Sequence, residues 1–199
     1  MKKGLIILLV VVGLIAILFG KFGGIYNNLV KGDEGVKSAW SQVENVYQRR
    51  ADLIPNLVET VKGYATHEEK TLTEVIQARA TATQMTLSPD IVNNPDMLTK
   101  FQQNQGALSS ALGRLMAVAE QYPNLKANES FLALQSQLEG TENRVTVERM
   151  RFNEAAQSFN TYRRSFPNNI IANMMGFGEK AYFKADEGTN KAPTVKFVK

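Results

Sequence analysis

The sequence predicts an all-α protein in which one N-terminal transmembrane helix carries an elongated antiparallel four-helix bundle with two long and two short helices. Three observations predict this fold. An apolar run covers Leu5 to Phe19, apolar residues recur at alternating spacings of four and three farther along, and prolines punctuate the segments between.

The apolar run is long enough for a membrane anchor. A helix from Gly4 to Gly20 rises roughly 26 Å, and flanking lysines can extend it to the bilayer surfaces. A cleaved signal peptide shares the basic start and apolar centre, but no A-x-A-like site lies between Phe19 and Gly24. We therefore expect residues 1–24 to be an uncleaved anchor.

The lysines on the two sides of the run are nearly balanced under the positive-inside rule. We expect a single-pass membrane protein with its bundle on the extracytoplasmic side.

Composition excludes several classes of function. The 199 residues contain no cysteine, which excludes disulfides, thiolate metal sites and lipoprotein anchoring through an N-terminal cysteine. The net charge of +4 comes from the two ends of the chain, since residues 21–166 hold equal numbers of basic and acidic side chains. We expect no nucleic-acid partner, because a basic face with interleaved aromatics is missing from the sequence.

The first helix of the bundle is predicted from an unbroken seam between Val36 and Tyr64. Pro55 lies inside this seam and predicts a kink rather than a break. A second helix is predicted after a capping box at Thr66 and Glu69 and ends near Met85, with Arg79 interrupting its apolar face.

The third helix is predicted to begin near Pro95 with Asn94 as its cap, and Pro123 stops it. The fourth carries a heptad repeat from Phe131 to Phe166, which indicates one helix of about 35 to 40 residues ended by Pro167. The bundle domain is thus predicted over 25–166, followed by a C-terminal packing segment over 167–199.

Catalytic and cofactor motifs are missing from the sequence, and we expect neither an enzyme nor a cofactor. The sole histidine, His67, has no second nitrogen ligand at metal-binding spacing, and is interpreted as a first-turn residue of the second helix. The glycines of Gly176-Phe177-Gly178 are too few for a phosphate loop.

Arg50 departs from the apolar seam of the first helix. It either snorkels at the helix edge beside Arg49, or pairs with Glu148 of the fourth helix as a polar layer that fixes register. Counting rises from Tyr64 and Phe131 puts Arg50 and Glu148 at nearly the same height.

The membrane-proximal half of the bundle is expected to need extra cover, because the two short helices reach only the distal half. Either the segment from Ile170 to Phe197 docks there, or a second copy of the chain does. The candidate interface comprises Val36, Trp40, Val43, Phe152, Phe159 and Phe166.

Several segments resemble a known family. They are Tyr26-Asn27-Asn28-Leu29-Val30, residues 39–44, residues 48–64, Phe152-Asn153-Glu154-Ala155, and residues 162–167. They closely resemble the LemA family of membrane-tethered bacterial helical proteins, and the similarity covers nearly all of the chain beyond the apolar run. The resemblance implies a location in the bacterial inner membrane and a partner in the same membrane, with membrane-associated proteases and TPM-domain proteins as candidates.

Two classes of function follow. The first is a non-enzymatic, membrane-anchored scaffold that self-assembles into a homo-oligomer or binds a partner on the lipid bilayer. The second is a membrane-linked sensor or signalling module that binds a ligand in or on the bundle.

Overall fold

A computed structural model describes residues 2–65, 67–84 and 89–184, and all of the regular secondary structure in these ranges is helical. The elements, in chain order, are α1 (Lys2–Lys62), α2 (Glu69–Gln84), a 3₁₀ helix (Pro89–Asn93), α3 (Pro95–Ala119), α4 (Pro123–Lys126), α5 (Glu129–Arg164) and α6 (Asn168–Met174).

Helix α1 continues without interruption from the apolar run into the core of the domain. Its 61 residues correspond to roughly 90 Å. It is the one helix within the described ranges that is long and apolar enough to cross a membrane. The boundary predicted after residue 24 therefore falls inside a single helix.

Helices α1 and α5 run antiparallel in a fixed register. The Tyr64 hydroxyl accepts a hydrogen bond of 3.0 Å from the Asn128 side chain, and the rings of Trp40 and Phe152 meet at 5.5 Å. Tyr64 and Trp40 are 24 positions apart, as are Asn128 and Phe152. Farther down, the Asn28 amide reaches the Tyr162 hydroxyl at 3.1 Å, so the register holds to within about two residues at the base of the domain.

Two hydrophobic cores lie one above the other along this axis. The proximal core, nearer the apolar run, contains Trp40, Tyr47, Phe101, Phe152 and Phe159 with smaller neighbours. The distal core lies above it and is built mainly from aliphatic residues, among them Ile54, Leu57, Leu108, Leu115 and Leu138.

The predicted start of α3 agrees with the structure, and the predicted start of α2 differs from it. Asn94 caps α3, as predicted, because its Oδ1 accepts hydrogen bonds from the backbone N–H groups of Asp96 and Met97. Helix α2 begins at Glu69, so His67 lies in the preceding turn rather than in the first helical turn. Thr66 of the predicted capping box and Met85, the predicted end of the second helix, lie outside the described residues.

Pro55 leaves α1 unbroken because α2 replaces the hydrogen bond that proline cannot make. Pro55 has no N–H to donate to the carbonyl of Ala51, four residues earlier. Instead, Arg79 Nε donates to the Ala51 oxygen at 2.8 Å. This contact explains why a charged residue interrupts the apolar face of α2.

Substituting Arg79 tests this replacement. Arg79→Met should destabilise the domain by about 1–3 kcal/mol, since it leaves a largely buried carbonyl unsatisfied. In a Pro55→Ala background the N–H restored at position 55 can bond Ala51, so the loss should shrink by about 1 kcal/mol or more. The free energy of unfolding is measured for the parent protein, the two single variants and the double variant. The full chain is unfolded with urea in detergent, and the fluorescence of its single tryptophan reports the transition.

Arg114→Met is the matched control, because Arg114 forms an exposed ion pair with Glu74. The Arg114→Met substitution should change the free energy of unfolding by the same amount in the parent protein and in the Pro55→Ala background. Equal losses for Arg79→Met in both backgrounds would contradict the proposed replacement.

Candidate functional site

Arg50 lies in the interior of the domain with its head group bound to two other helices. Its side chain is only 2% exposed. From α3, Gln105 Oε1 lies 2.6 Å from Nη2 and Ser109 Oγ lies 2.9 Å from Nη1. From α5, Glu142 Oε2 lies 2.7 Å from Nη1.

The guanidinium lies at the boundary between the two cores. Tyr47, one turn below on α1, belongs to the proximal core and places its ring 5.1 Å from the Arg50 carbon Cζ. Ile54, one turn above, belongs to the distal core. Arg50, Gln105, Ser109 and Glu142 therefore form a polar layer, which we call the arginine layer.

The predicted partner Glu148 is not in this layer. Its carboxylate instead accepts a hydrogen bond of 2.9 Å from Arg151, one turn away on the same helix. The correction follows from the register. Tyr64 lies opposite Asn128, not Phe131, and 14 residues from each lead to Arg50 and Glu142. The layer is thus one and a half turns nearer the distal end of α5 than predicted.

The pairing of Arg50 with Glu142 also limits the free-energy cost of burying an ion pair. The Glu142 side chain is 53% exposed, so the long arginine reaches outward to a carboxylate that keeps much of its hydration. Arg50 itself does not snorkel, because its head group is enclosed. Its Nε atom has no hydrogen-bond partner among the described residues.

A groove between α3 and α5 opens onto the arginine layer. Two cavities of about 320 and 280 Å³ both reach Arg50, Ser109 and Glu142. The upper one extends over Leu112 and Gly113, and the lower one extends toward Arg149. The upper cavity reaches the lower end of the volume range of small-molecule sites, and the lower cavity is slightly smaller than that range.

The segment after α6 returns along the bundle and fills the proximal core. Gly176 adopts φ +77°, a left-handed conformation that suits glycine, and this turn redirects the chain. The segment 177–184, which we call the tail strand, is extended and buries Ala181 and Phe183. The Phe183 ring stacks near Trp40 at 6.0 Å between centroids.

Three side-chain amides hold the backbone of the tail strand. Asn160 donates to the Lys180 carbonyl at 2.9 Å and accepts from its N–H at 2.8 Å. Asn153 makes the same pair of bonds to Phe183, and Gln102 makes it to Lys184. These amides satisfy backbone groups that would otherwise need a β-sheet partner.

An ion pair adds to this attachment. Lys180 of the tail strand is buried, and its ammonium binds the carboxylate of Asp33 on α1 and the side-chain oxygen of Asn93 at 2.7 Å. Burial alone would raise the pKa of Asp33. Hydrogen bonds from Lys180 and Lys37 outweigh burial and hold that pKa below its usual value.

Five of the six residues of the candidate interface are buried within the single chain. Val36, Trp40, Val43, Phe152 and Phe159 are at most 2% exposed, while Phe166 is 82% exposed. The tail strand covers them together with Phe101 of α3, whose ring meets Trp40 at 5.5 Å. The expectation that the short helices stop at the distal half was therefore wrong for α3.

The sequence reasoning overlooked Asn153, Asn160 and Gln102. A usable signal existed, because Asn153 and Asn160 are one heptad apart on α5 and both stand next to seam phenylalanines. Asparagine at heptad spacing is unfavourable inside a helix unless its amide has a specific partner.

One helix that runs from the apolar run into the core, a polar layer around Arg50 and an amide-bound tail strand define an all-helical class of protein. Among the described residues, no group of three or more His, Cys, Asp or Glu side chains is placed to hold a metal ion. The sequence matches the LemA family over residues 39–197, and the chain belongs to that family.

Individual relatives agree with this assignment. The chain is 28% identical over 175 residues to magnetosome proteins MamQ 1 and MamQ 2 of Paramagnetospirillum magneticum, covering 80% of this chain and 64% of each relative. It is 24% identical over 173 residues to the protein LemA of Metamycoplasma hominis, covering 87% of this chain and 75% of that protein. The chain thus spans less than two thirds of the length of the magnetosome relatives.

A double-mutant cycle tests the partner of Arg50. Arg50→Met and Glu142→Gln should show a coupling free energy above about 1 kcal/mol, because the two groups share a short, partly desolvated bond. The cycle of Arg50→Met with Glu148→Gln should be additive within about 0.5 kcal/mol. Urea unfolding in detergent measures both, and stronger coupling to Glu148 would show that the register described above is wrong.

The Asp33 to Lys180 contact predicts a dependence of stability on pH. The pKa of Asp33 is lower in the folded protein than in the unfolded chain, so the ionised carboxylate stabilises the fold above about pH 5. This contribution is lost as the pH falls from about 4 through the folded pKa. Asp33→Asn should be less stable than the parent protein at neutral pH, and the difference should vanish in acid.

Glu34→Gln is the control, since Glu34 is exposed and bonds only Lys37 among the described residues. It should leave the unfolding midpoint nearly unchanged at both pH values. A gap between Asp33→Asn and the parent protein that stays constant down to pH 2 would contradict the assignment.

Proposed function

We propose that this protein is a non-enzymatic scaffold of the bacterial inner membrane, anchored by a single span and acting through self-assembly or a partner in the same bilayer. Its stalk is an elongated antiparallel bundle of α1, α2, α3 and α5. Membrane-associated proteases and TPM-domain proteins are candidate partners.

The continuity of α1 is the observation that carries this proposal. The side chains from Leu5 to Ile17 that the structure describes are all largely exposed and apolar, whereas from Leu29 onward the same helix buries a seam in the core. Exposed apolar side chains have a lower free energy in hydrocarbon than in water. Because one helix passes through both environments, the domain is held at a fixed height above the bilayer.

An outward face of α5 is a candidate contact surface for the assembly. Val147 and Met150 lie one turn apart, are 40% and 55% exposed, and belong to neither core. Apolar side chains of this kind can be buried in the core of a protein–protein interface.

Gentle detergent extraction followed by native mass analysis tests the proposal. The scaffold should be recovered as a multiple of the 22.1 kDa chain or with a stoichiometric membrane protein. A double Val147→Glu and Met150→Glu variant should release the assembly, whereas Ile76→Glu on the exposed face of α2 should not. Recovery of the parent protein only as a bare monomer would contradict the scaffold.

A ligand-binding sensor is the second candidate, favoured by the groove at Arg50. The upper cavity beside the arginine layer has room for a small molecule, and Arg50, Ser109 and Glu142 line it. Gly113→Leu should project into the upper cavity, because Gly113 lines that cavity and an added Cβ would meet no atom within 4 Å. Gly140→Leu adds the same side chain on α5, also into open space.

The two glycine variants separate sensor from scaffold. For a sensor, native mass analysis of the parent protein should show a bound small molecule that Gly113→Leu removes and Gly140→Leu keeps. An assembly that forms identically in all three proteins, with no bound small molecule, would exclude the sensor.

A further inference from the structure

We infer that the base of the bundle rests in the lipid headgroup layer of the same bilayer that holds its anchor, through an apolar patch at the end of α5 and on α6. This base patch consists of Phe166, Ile170, Met174 and Met175. The inference rests on the proposed membrane anchor and adds a second, interfacial contact between protein and lipid.

The base patch is exposed although the segment around it is well packed. Phe166, Ile170, Met174 and Met175 are 82%, 57%, 62% and 43% exposed. The same short helix buries Ile171 and Ala172 in the proximal core. The four side chains therefore project from a fixed support, and a surface of four large apolar residues needs cover of some kind.

The register of α1 and α5 gives the height of the patch. Asn28 meets Tyr162, so the end of α5 at Arg164 is level with Tyr26, two residues from Gly24, and Phe166 follows directly after that end. After α6 the chain is still at this level, because the Phe177 ring meets Tyr26 at 6.0 Å. A hydrocarbon core of about 30 Å entered at Leu5 takes about 20 residues of helix and ends near Gly24.

The patch is thus at the boundary between hydrocarbon and headgroups. Apolar side chains on a short interfacial helix are stabilised at this depth, where they reach the ends of the acyl chains. Methionine and phenylalanine fill such an irregular environment well.

The charges around the base complement an anionic lipid surface. Residues 21–32 and 161–178, which build the base, contain Lys21, Lys31, Arg163 and Arg164 but no acidic residue. Arg163 bonds the Phe177 carbonyl and the Asn173 amide oxygen, both neutral, so its charge is uncompensated by those contacts. Basic residues beside an anionic leaflet are attracted to its negative surface potential.

A lipid surface fits this patch better than a second copy of the chain. Two copies that met through their bases would bring two sets of four basic residues together without an intervening acid, which opposes association. The bilayer, in contrast, already lies at the height of the patch in every copy.

Depth-dependent fluorescence quenching tests the inference with the full-length protein. Because the chain has no cysteine, a single bimane label can be placed through Met174→Cys, through Ile15→Cys in the anchor, or through Leu132→Cys at the exposed distal end. Each variant is reconstituted into phosphatidylcholine vesicles with or without phosphatidylglycerol. The quenchers are lipids carrying a nitroxide near the headgroup or deep in the acyl chain.

The inference predicts a distinct pattern for each position. The label at 174 should be quenched by the shallow nitroxide at least about twofold more than the label at 132, and more strongly with phosphatidylglycerol present. The label at 15 should respond most to the deep nitroxide. Arg164→Glu should weaken quenching at 174 while leaving quenching at 15 unchanged.

Other patterns would overturn the inference and identify the fault. Quenching at 15 without quenching at 174 would reject the interfacial contact and leave the anchor intact. If lipid nitroxides do not quench the label at residue 15, the anchor itself is rejected, and the proposed function is rejected with it. Shielding of the 174 label from aqueous iodide without lipid quenching, together with 174-to-174 crosslinks, would show that a second copy covers the patch.

Discussion

The antiparallel contact between α1 and α5 fixes the position of every other feature of this protein. Because α1 is continuous from the apolar run to the distal end, any residue of α5 that faces it acquires a defined height. The aromatic pairs of the proximal core, the carboxylate that meets Arg50 and the level of α6 all follow from this one register. A helix rises 1.5 Å per residue, so a slip of one turn would move each of them by about 5.4 Å and separate most of the pairs.

The arginine layer is the feature most sensitive to such a slip. An apolar seam tolerates alternative registers, because one leucine can replace another in the same hole. A buried guanidinium tolerates few alternative registers, because its charge needs a carboxylate and its N–H groups need acceptors at fixed points. Gln105, Ser109 and Glu142 meet these needs only in the observed arrangement. The layer thereby selects one register, while the two cores supply most of the driving force on either side.

The tail strand shows how a helical domain can bind an extended segment without a sheet. Amides on α3 and α5 present a donor and an acceptor together, as a neighbouring β-strand would, and they hold Lys180, Phe183 and Lys184. Phe183 then completes the aromatic cluster around Trp40. The contact between Lys180 and Asp33 ties this segment to α1 as well, so the tail strand contributes to the same α1 and α5 pairing that it covers.

The sequence by itself determined the helical class, the span-length apolar run, the Asn94 cap, the length of α5 and the membership of Arg50 in an otherwise apolar seam. These depend on local periodicity and composition, which a single segment contains. Tertiary structure alone decided that Arg50 meets Glu142 rather than Glu148, that Arg79 bonds the carbonyl freed by Pro55, and that Asn153 and Asn160 bind the tail strand. Each of these contacts joins residues 28 or more positions apart, or a side chain to a backbone group in an irregular segment. The heptad pattern fixes which face of a helix is buried, but the height at which two buried faces meet depends on long side chains finding partners in three dimensions.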